Sequence, residues 1–273
     1  MIRSRGDNVV RALLYVGAAL LVALSVGPTL WLLFGAFSPA TDDLGGIPSR
    51  LTLDNVRAIW GDEGLRDALV NSVVVTFGRA GLNVLLAALA AYPLARMKFR
   101  GRGVLFVIIL ATMMVPEQVI VVPMFTIVVG MGLYDTLLAL IVPGSVSAFG
   151  IYLCRQAFMA IPADMEEAAR IDGASTFRIW LNVMLPLAAP TLATLAVFSV
   201  IGAWSDLLWP LVVLKSEDNF TLPIKINELL GQFSTNLRLA YAASVLALVP
   251  IVVFFFAAQR WLKPNMFAGA VKG

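Results

Sequence analysis

The strongest constraint on the fold of this chain is an unbroken apolar run near its N-terminus. Residues 12–37 contain no charged side chain. A helix over them is longer than the roughly 20 residues that cross a bilayer. A cleaved signal peptide has a shorter apolar stretch, so we interpret the run as a retained membrane helix, bent at Gly27-Pro28. With the later apolar stretches it predicts a single all-α integral membrane domain over residues 1–273. About six transmembrane helices are predicted, over residues 12–37, 68–95, 104–129, 136–153, 187–214 and 239–257.

The scarce residue types exclude most catalytic chemistry. Hydrophobic residues make up 60% of the chain and charged residues 14%, against about 25% charged residues in average soluble domains. The chain has no histidine, so it lacks the commonest general base and metal ligand. Its one cysteine, Cys154, cannot form an internal disulfide or a cysteine cluster around a metal. We therefore predict that the chain is not an enzyme and has no metal site.

The basic residues are distributed unevenly between the predicted loops. Thirteen of the 20 Lys and Arg residues fall in the N-terminal segment, in residues 96–102 and 155–178, and in the C-terminal tail. Since basic loops remain in the cytoplasm, both termini are predicted to be cytoplasmic. The outer segments 38–67 and 215–238 are then either solvated connectors or a docking surface for an extracytoplasmic partner. Basic and aromatic residues are not interleaved, so no nucleic-acid partner is predicted.

The predicted cytoplasmic loop 155–186 carries the most specific local signals. Pro162 suits the first turn of a helix. Three acids favour the N-terminal half of that helix through its dipole: Asp164, Glu166 and Glu167. Met165, Ala168 and Ala169 follow at helical spacing and form a narrow stripe of small residues. Such a stripe allows another surface to approach the helix closely.

A tight turn and a second short helix are predicted to follow. Gly173 comes after Asp172 at the position of a C-terminal cap, since glycine adopts positive φ without a steric penalty. Ser175 then caps the second helix, which Pro186 is predicted to stop. The apolar face of the second helix consists of Phe177, Leu181 and Met184. The loop is thus predicted to be a helix–turn–helix with one apolar face.

These residues resemble the EAA loop of bacterial ABC importer permeases. The family pattern is E-A-A-x3-G-x9-I-x-L-P. The chain matches it with Glu167-Ala168-Ala169, Gly173 and Val183-Met184-Leu185-Pro186, where Val183 replaces isoleucine. The string IPADMEEAARIDGAS is similar to the carbohydrate branch, in particular to the maltose-type second permease subunit. Further matches extend the resemblance over nearly the whole chain: Asn71-Ser72, AYPLAR at 91–96, Pro116, Pro123, Trp204-Ser205-Asp206, Thr221-Leu222-Pro223 and GAVKG at 269–273.

The resemblance implies a permease with the type I ABC importer fold in a bacterial cytoplasmic (inner) membrane. Such a subunit forms half of the translocation path for a sugar or sugar-like solute. The implied partners are two ATP-binding subunits, a second homologous permease subunit, an extracytoplasmic solute-binding protein and membrane lipid. The loop would be a coupling helix against an ATP-binding subunit, through Met165, Glu167, Ala168, Ala169, Asp172, Gly173, Leu185 and Pro186. The chain has no G-x-x-x-x-G-K-[ST] motif. ATP and Mg²⁺ are therefore expected on the partner subunits, and no cofactor is expected in this chain.

Three charged side chains fall inside predicted spans. Arg79, Glu117 and Asp206 are costly at membrane depth, and such groups usually face a cavity or a partner. They either line the translocation cavity and bind a polar substrate, or Arg79 pairs with a carboxylate and stabilises helix packing. Three further candidates for the substrate path are Asn71, Trp204 and Trp209. Aromatic faces suit sugar rings, but tryptophans near the end of a span are also interface anchors.

Two other classes of membrane protein compete with this interpretation. An ion-coupled secondary transporter would carry inverted repeats and a relay of intramembrane acids and histidines, and the sequence has no histidine. A membrane-embedded enzyme would need a cluster of catalytic groups, which Glu117 and Asp206 alone do not supply. For the loop 155–186, the simpler alternative is a pair of helices that lies on the membrane surface.

Overall fold

The computed structural model describes residues 5–39, 41–42, 46–231 and 237–262. Those residues form α-helices and connecting turns, with no strand among them. The helices are α1 Arg5–Ala36, α2 Asp54–Trp60, α3 Glu63–Arg96, α4 Arg102–Thr112, α5 Glu117–Gly130, α6 Leu138–Gly144, α7 Ala148–Ala160, α8 Ala163–Ile171, α9 Thr176–Ile179, α10 Leu185–Trp204, α11 Leu208–Val213, α12 Leu222–Gly231 and α13 Leu237–Leu262. A π-helical turn covers Trp180–Met184, and a 3-10 turn covers Glu217–Asn219. The tail matched at 269–273 lies outside the described residues.

The all-α membrane architecture is confirmed. By length and composition, four helical stretches in the described part of the chain can cross a membrane: Leu13–Ala36, Glu63–Arg96, Thr176–Trp204 and Leu237–Gln259. The third predicted span is broken at Pro116, as expected, and α4 and α5 are bent by 102° there. The fourth is broken after Gly144, where α6 and α7 are bent by 45°. The count rises to six if each bent pair is one span.

The fifth predicted span differs most from the observed helix. The sequence predicts a span over 187–214, preceded by a helix that ends at Pro186. Instead, one helical stretch runs from Thr176 to Trp204. Proline lacks an N–H group and crowds the carbonyl four residues before it. The π-helical turn immediately before Pro186 widens the helix, and the N–H of Leu185 donates to the carbonyl of Trp180. The prediction that Pro186 stops a helix is therefore wrong.

The exposed part of the predicted loop 155–186 is also shorter than the sequence suggests. At its start, α7 continues to Ala160, and at its end the helical stretch has already resumed at Thr176. The C-terminal end of that stretch is Trp204, ten residues before the predicted limit of the span. There the carboxylate of Asp206 accepts a hydrogen bond from the backbone N–H of Trp209, at 3.4 Å, in the first turn of α11. A side-chain oxygen three residues before the N–H it binds favours the start of a new helix.

The contacts divide the chain into two compact units. Among the described residues, the first unit combines those up to Leu65 with those of Ile226–Val249, and the second combines Arg66–Lys225 with those from Pro250 to Leu262. All of the residues predicted to be functional belong to the second unit.

In the first unit, the C-terminal end of α1 is closed by a buried amide. The Asn55 Nδ2 donates to the carbonyls of Ala36 and Ser38, at 3.0 and 2.8 Å. Gly35 packs directly against the ring of Tyr241 on α13, where a Cβ atom would overlap the ring. The close approach therefore requires glycine at this position.

The second unit contains two apolar clusters. One surrounds the C-terminal part of α3 and includes buried side chains from α7 and from the helical stretch after Ser175: Cys154, Phe158, Ile179, Trp180 and Met184. The other joins α5, α6 and α11 through Val128, Leu140, Trp209 and Val213. The first cluster supports the predicted coupling loop, and the second supports the region of the intramembrane charges.

Candidate functional site

The predicted coupling loop contains a nine-residue helix, α8, with one buried residue. Glu166 is 7% exposed. Met165 is 47% exposed, Glu167 and Ala168 are also exposed, and Ala169 is half-buried. The helix therefore presents most of its surface outward, including the predicted stripe.

The turn after α8 has the predicted geometry. Gly173 has a φ of +78°, in the left-handed region that favours glycine. Its N–H donates to the carbonyl of Arg170, and the N–H of Ala174 donates to the carbonyl of Ala169, both at 3.0 Å. These bonds close the C-terminal end of α8. The side chain of Ser175 caps α9, so both predicted caps are confirmed.

The exposed surface of the loop continues beyond α8. Of the eight residues predicted to contact an ATP-binding subunit, all except Ala169 and Leu185 are exposed, and those two are half-buried. Two large apolar side chains beside them are also exposed, Ile171 and Phe177. The loop thus offers a surface of mixed acidic and apolar character.

Glu166 has a role that its sequence position does not reveal. Its place in the first turn of α8 predicts only an interaction with the helix dipole. In the structure, its carboxylate accepts hydrogen bonds from the Tyr92 hydroxyl at 3.0 Å and from the Arg170 guanidinium at 2.8 Å. The Arg96 Nε lies 3.7 Å from its other oxygen. The same carboxylate raises the pKa of Arg170 above its usual value. The AYPLAR segment at 91–96 therefore meets the loop directly.

Two of the three intramembrane charges form an ion pair. The Arg79 Nη1 donates to the Asp206 Oδ2 at 2.8 Å, and the two side chains are 20% and 16% exposed. The Arg79 Nε also donates to the carbonyl of Gly144, at 3.2 Å. The guanidinium thus joins α3 to the break between α6 and α7 and to the segment after α10.

The ion pair also lines a cleft of about 410 Å³. Glu117, the third intramembrane charge, lines the same cleft from the first turn of α5, beside Gln118. The Glu117 side chain is exposed, and no ion pair to it occurs among the described residues. Both interpretations of these charges therefore have structural support, since Arg79 and Asp206 are paired and all three charges face one open space.

The other substrate-path candidates are dispersed. Trp209 lines the cleft, and its indole N–H donates to the carbonyl of Ala139 at 2.9 Å. Trp204 is half-buried and does not line this cleft. The Asn71 Nδ2 instead donates to the carbonyls of Asp218 and Phe220, at 2.7 and 3.0 Å. Asn71 therefore fastens the segment after α11.

The two ends of α3 contact different sets of loops. Asn71 and its neighbour Ser72 bind residues 218–222, the latter by accepting the Leu222 N–H at 2.7 Å. Tyr92 binds Glu166 of the coupling loop. Twenty-one residues separate Asn71 from Tyr92, which is roughly 30 Å along a helix. The loops that the sequence assigns to opposite membrane faces therefore contact opposite ends of one helix.

A second polar contact ties together two loops that are both predicted to be extracytoplasmic. The Asp135 carboxylate accepts the backbone N–H groups of Lys215 and Ser216, at 2.8 and 2.9 Å, and the Ser216 hydroxyl at 2.5 Å. These hydrogen bonds hold the pKa of Asp135 well below its usual range. Asp135 itself has a φ of +58°. Sequence reasoning missed this residue, because its partners lie about 80 positions away along the chain.

This chain is similar to known proteins both in sequence and in fold. Residues 83–268 match the model of the family described as "Binding-protein-dependent transport system inner membrane component". The chain is 36% identical over 268 residues to the arabinooligosaccharides transport system permease protein AraQ of Halalkalibacterium halodurans, covering 96% of each chain. It is 36% identical over 260 residues to the trehalose transport system permease protein SugB of Mycobacterium tuberculosis, covering 93% of this chain and 95% of SugB. Its fold is similar to a chain in the crystal structure of a bacterial ABC transporter that imports alginate. The TM-score is 0.85 at 23% identity, and the alignment covers 96% of this chain and 100% of the other.

Proposed function

We propose, from the premise that this chain belongs to the family of inner membrane components of binding-protein-dependent transport systems, that it forms half of the translocation path of an ATP-driven importer for a sugar or sugar-like solute. The observation that carries this proposal is the position of α8. The helix is largely exposed, yet its buried Glu166 carboxylate and the half-buried Ala169 hold it against the membrane-spanning part of the chain. A docking element needs this combination, because it must bind a partner and also move with the helices behind it.

The partner proposed for α8 is an ATP-binding subunit in the cytoplasm. The small side chain of Ala168 allows close approach to α8, and Met165 offers an apolar contact. Glu167 and Asp172 supply charge at its edge. This chain contains no phosphate-binding motif. ATP and Mg²⁺ would therefore bind to two such subunits, which would hydrolyse the ATP.

The proposed membrane orientation is supported by the distribution of the basic residues. The basic residues gather near α8 and in the segment between α3 and α4, and such segments remain in the cytoplasm. Both termini are then cytoplasmic in a bacterial inner membrane, and the segment fastened by Asn71 and Asp135 faces outward. That outward segment is available to a solute-binding protein. A second, homologous permease would complete the path.

The cleft lined by Arg79, Glu117 and Asp206 is the proposed substrate path in this chain. An ion pair lies beside the Glu117 carboxylate, which has no ion pair among the described residues. Together they supply donors and acceptors for sugar hydroxyls, and the ring of Trp209 adds an apolar wall. AraQ and SugB are permeases for arabinooligosaccharides and trehalose, which supports a saccharide substrate here. Trp204 remains a weaker candidate, and Asn71 is proposed to act as a fastener.

The test is uptake by proteoliposomes that contain this chain and the subunits that co-purify with it. A panel of labelled oligosaccharides would be supplied with the binding protein, either with ATP at the cytoplasmic face or with an imposed proton or sodium gradient. We expect uptake only with ATP. Uptake driven by the ion gradient alone would contradict the proposal and favour a secondary transporter.

Variants of the cleft test its role in the same assay. Glu117→Gln and Asp206→Asn each remove one charge and keep the size of the side chain. We expect both to raise the substrate concentration for half-maximal uptake. Asp67→Asn is the matched control, since Asp67 is an exposed acid of α3 that lies outside the cleft and outside the segment fastened by Asn71 and Asp135. Equal uptake curves for all three variants would remove the cleft from the path.

A further inference from the structure

We propose that Glu166 is a positioning residue that fastens α8 to the C-terminal end of α3, so that α8 and α3 move as one body. Together with Tyr92 and Arg96 it forms what we term the α8 anchor. The inference rests on the proposed function, since α8 transmits force to α3 only when an ATP-binding subunit docks on it. It assigns a role to the AYPLAR segment.

The first support is the burial of a charge in a helix that is otherwise open. Glu166 is the only buried residue of α8. A carboxylate removed from water is costly unless charged or hydrogen-bonding groups compensate it. Tyr92 and Arg170 donate to it, and Arg96 lies within ion-pair distance. Glu166 therefore binds α8 to α3, because two of these three partners lie on α3 and only Arg170 lies on α8 itself.

The second support is that the segments flanking α8 contact the same stretch of α3. Before α8, the Arg96 guanidinium donates to the carbonyl of Ile161, and the Arg155 Nε donates to the carbonyl of Leu94 at 3.0 Å. After α8, the Trp180 indole N–H donates to the carbonyl of Ala88 at 3.3 Å. The loop is thus bound to residues 88–96 of α3 on both sides of α8.

The third support is the continuity of α3. It is one helix from Glu63 to Arg96, and Arg79 lies 13 residues before Tyr92, roughly 20 Å along the helix. Arg79 holds Asp206 in the cleft. A displacement of α8 would therefore reach the cleft along a single helix. The chain itself connects α8 to the cleft less directly, on one side through the Ile161-Pro162 link to α7 and on the other through the Gly173 turn and the π-helical turn at Trp180–Met184.

The experiment uses Cys154 as a probe of the anchor. It is the only cysteine in the chain and is fully buried in the cluster that also contains Tyr92 and Phe158. Labelling by N-ethylmaleimide in the membrane-embedded complex therefore reports how often that cluster opens. Uptake per ATP hydrolysed is measured on the same preparations.

Three variants separate the anchor from the stability of the fold. Glu166→Ala removes the carboxylate, Tyr92→Phe removes only the hydroxyl, and Glu166→Gln keeps an acceptor for Tyr92 without the charge. Asp164→Ala is the matched control, because Asp164 is an exposed acid on the same helix. Loss of fold stability alone lowers the amount of complex but leaves the uptake per ATP unchanged.

We expect N-ethylmaleimide to label Cys154 about tenfold faster in Glu166→Ala than in the control, which is the effect of losing a hydrogen bond to a charged group. We also expect it to lower the uptake per ATP, with Glu166→Gln and Tyr92→Phe intermediate. Labelling of Glu166→Ala at the control rate would overturn the anchor. Faster labelling with unchanged uptake per ATP would overturn its role in coupling. If the wild-type complex shows no ATP-driven uptake, the proposed function fails, while the labelling rates still decide whether the anchor exists.

Discussion

Replacing Gly173 by alanine is expected to open the turn after α8 without any steric clash. An added Cβ at Gly173 would find no heavy atom within 4 Å. The backbone, however, has a φ of +78°, and an L-residue pays about 1–2 kcal/mol in the left-handed region. The substitution therefore acts through backbone strain alone, and this strain sets the free energy by which the closed turn is destabilised.

The expected magnitude is a 5–30-fold shift toward the open turn, which is what roughly 1–2 kcal/mol produces. Amide hydrogen exchange measures this equilibrium locally. The N–H groups of Gly173 and Ala174 close the turn in the wild-type protein, and the Ala174 amide is present in every variant. We expect its exchange to be about 5–30 times faster in Gly173→Ala. Uptake per ATP should fall in the same variant, since α8 loses its fixed end.

Gly173→Asn provides the matched control. Asparagine also carries a Cβ, but it occupies the left-handed region several-fold more readily than most residues. We therefore expect Gly173→Asn to exchange more slowly than Gly173→Ala and to retain more coupled uptake. If both variants behave alike, or if asparagine is the more harmful, bulk against the partner subunit outweighs backbone strain. Unchanged exchange in Gly173→Ala would refute the reasoning.

Two further predictions concern polar contacts of the second unit. Removing one partner of a buried ion pair costs about 3–5 kcal/mol, and less in an open cleft. Arg79→Met should therefore lower the thermal unfolding midpoint in detergent, and Asp206→Leu in the same chain should restore much of it; additive losses would show that the pair is not coupled. The pKa of Asp135 is lowered from its ordinary value of 3.8. Its contribution to stability is therefore present above about pH 4 and is lost as the pH falls through the lower folded-state pKa. Asparagine tolerates the positive φ at this position. The unfolding midpoint of Asp135→Asn should therefore fall less between pH 4 and pH 3 than that of the wild-type protein. An equal fall in both proteins would contradict this assignment.

The features that sequence predicted well are those set by neighbouring residues. The glycine at 173 and the serine at 175 were placed correctly because caps depend on the local backbone alone. The break at Pro116 was predicted for the same reason. Features that depend only on neighbouring residues can therefore be predicted from the sequence.

The features that sequence missed depend on distant partners or on an unusual turn. Glu166 resembles its neighbours Asp164 and Glu167 in sequence. Its distinguishing partners on α3, Tyr92 and Arg96, lie 70 or more positions away along the chain. The pairing of Arg79 with Asp206 spans 127 positions and could be predicted only as one of two alternatives. The prediction that Pro186 ends a helix was wrong because no residue near it in the sequence indicates a π-helical turn.

That π-helical turn sets the rotational phase of the coupling loop. Each residue of an α-helix advances by about 100°, and a π-helical turn inserts about one extra residue. The side chains of α9 are therefore turned by about 100° about the helix axis relative to a regular continuation of α10. Loss of one residue between Trp180 and Met184 would remove this offset. It would turn the exposed ring of Phe177 toward a different side of the helix.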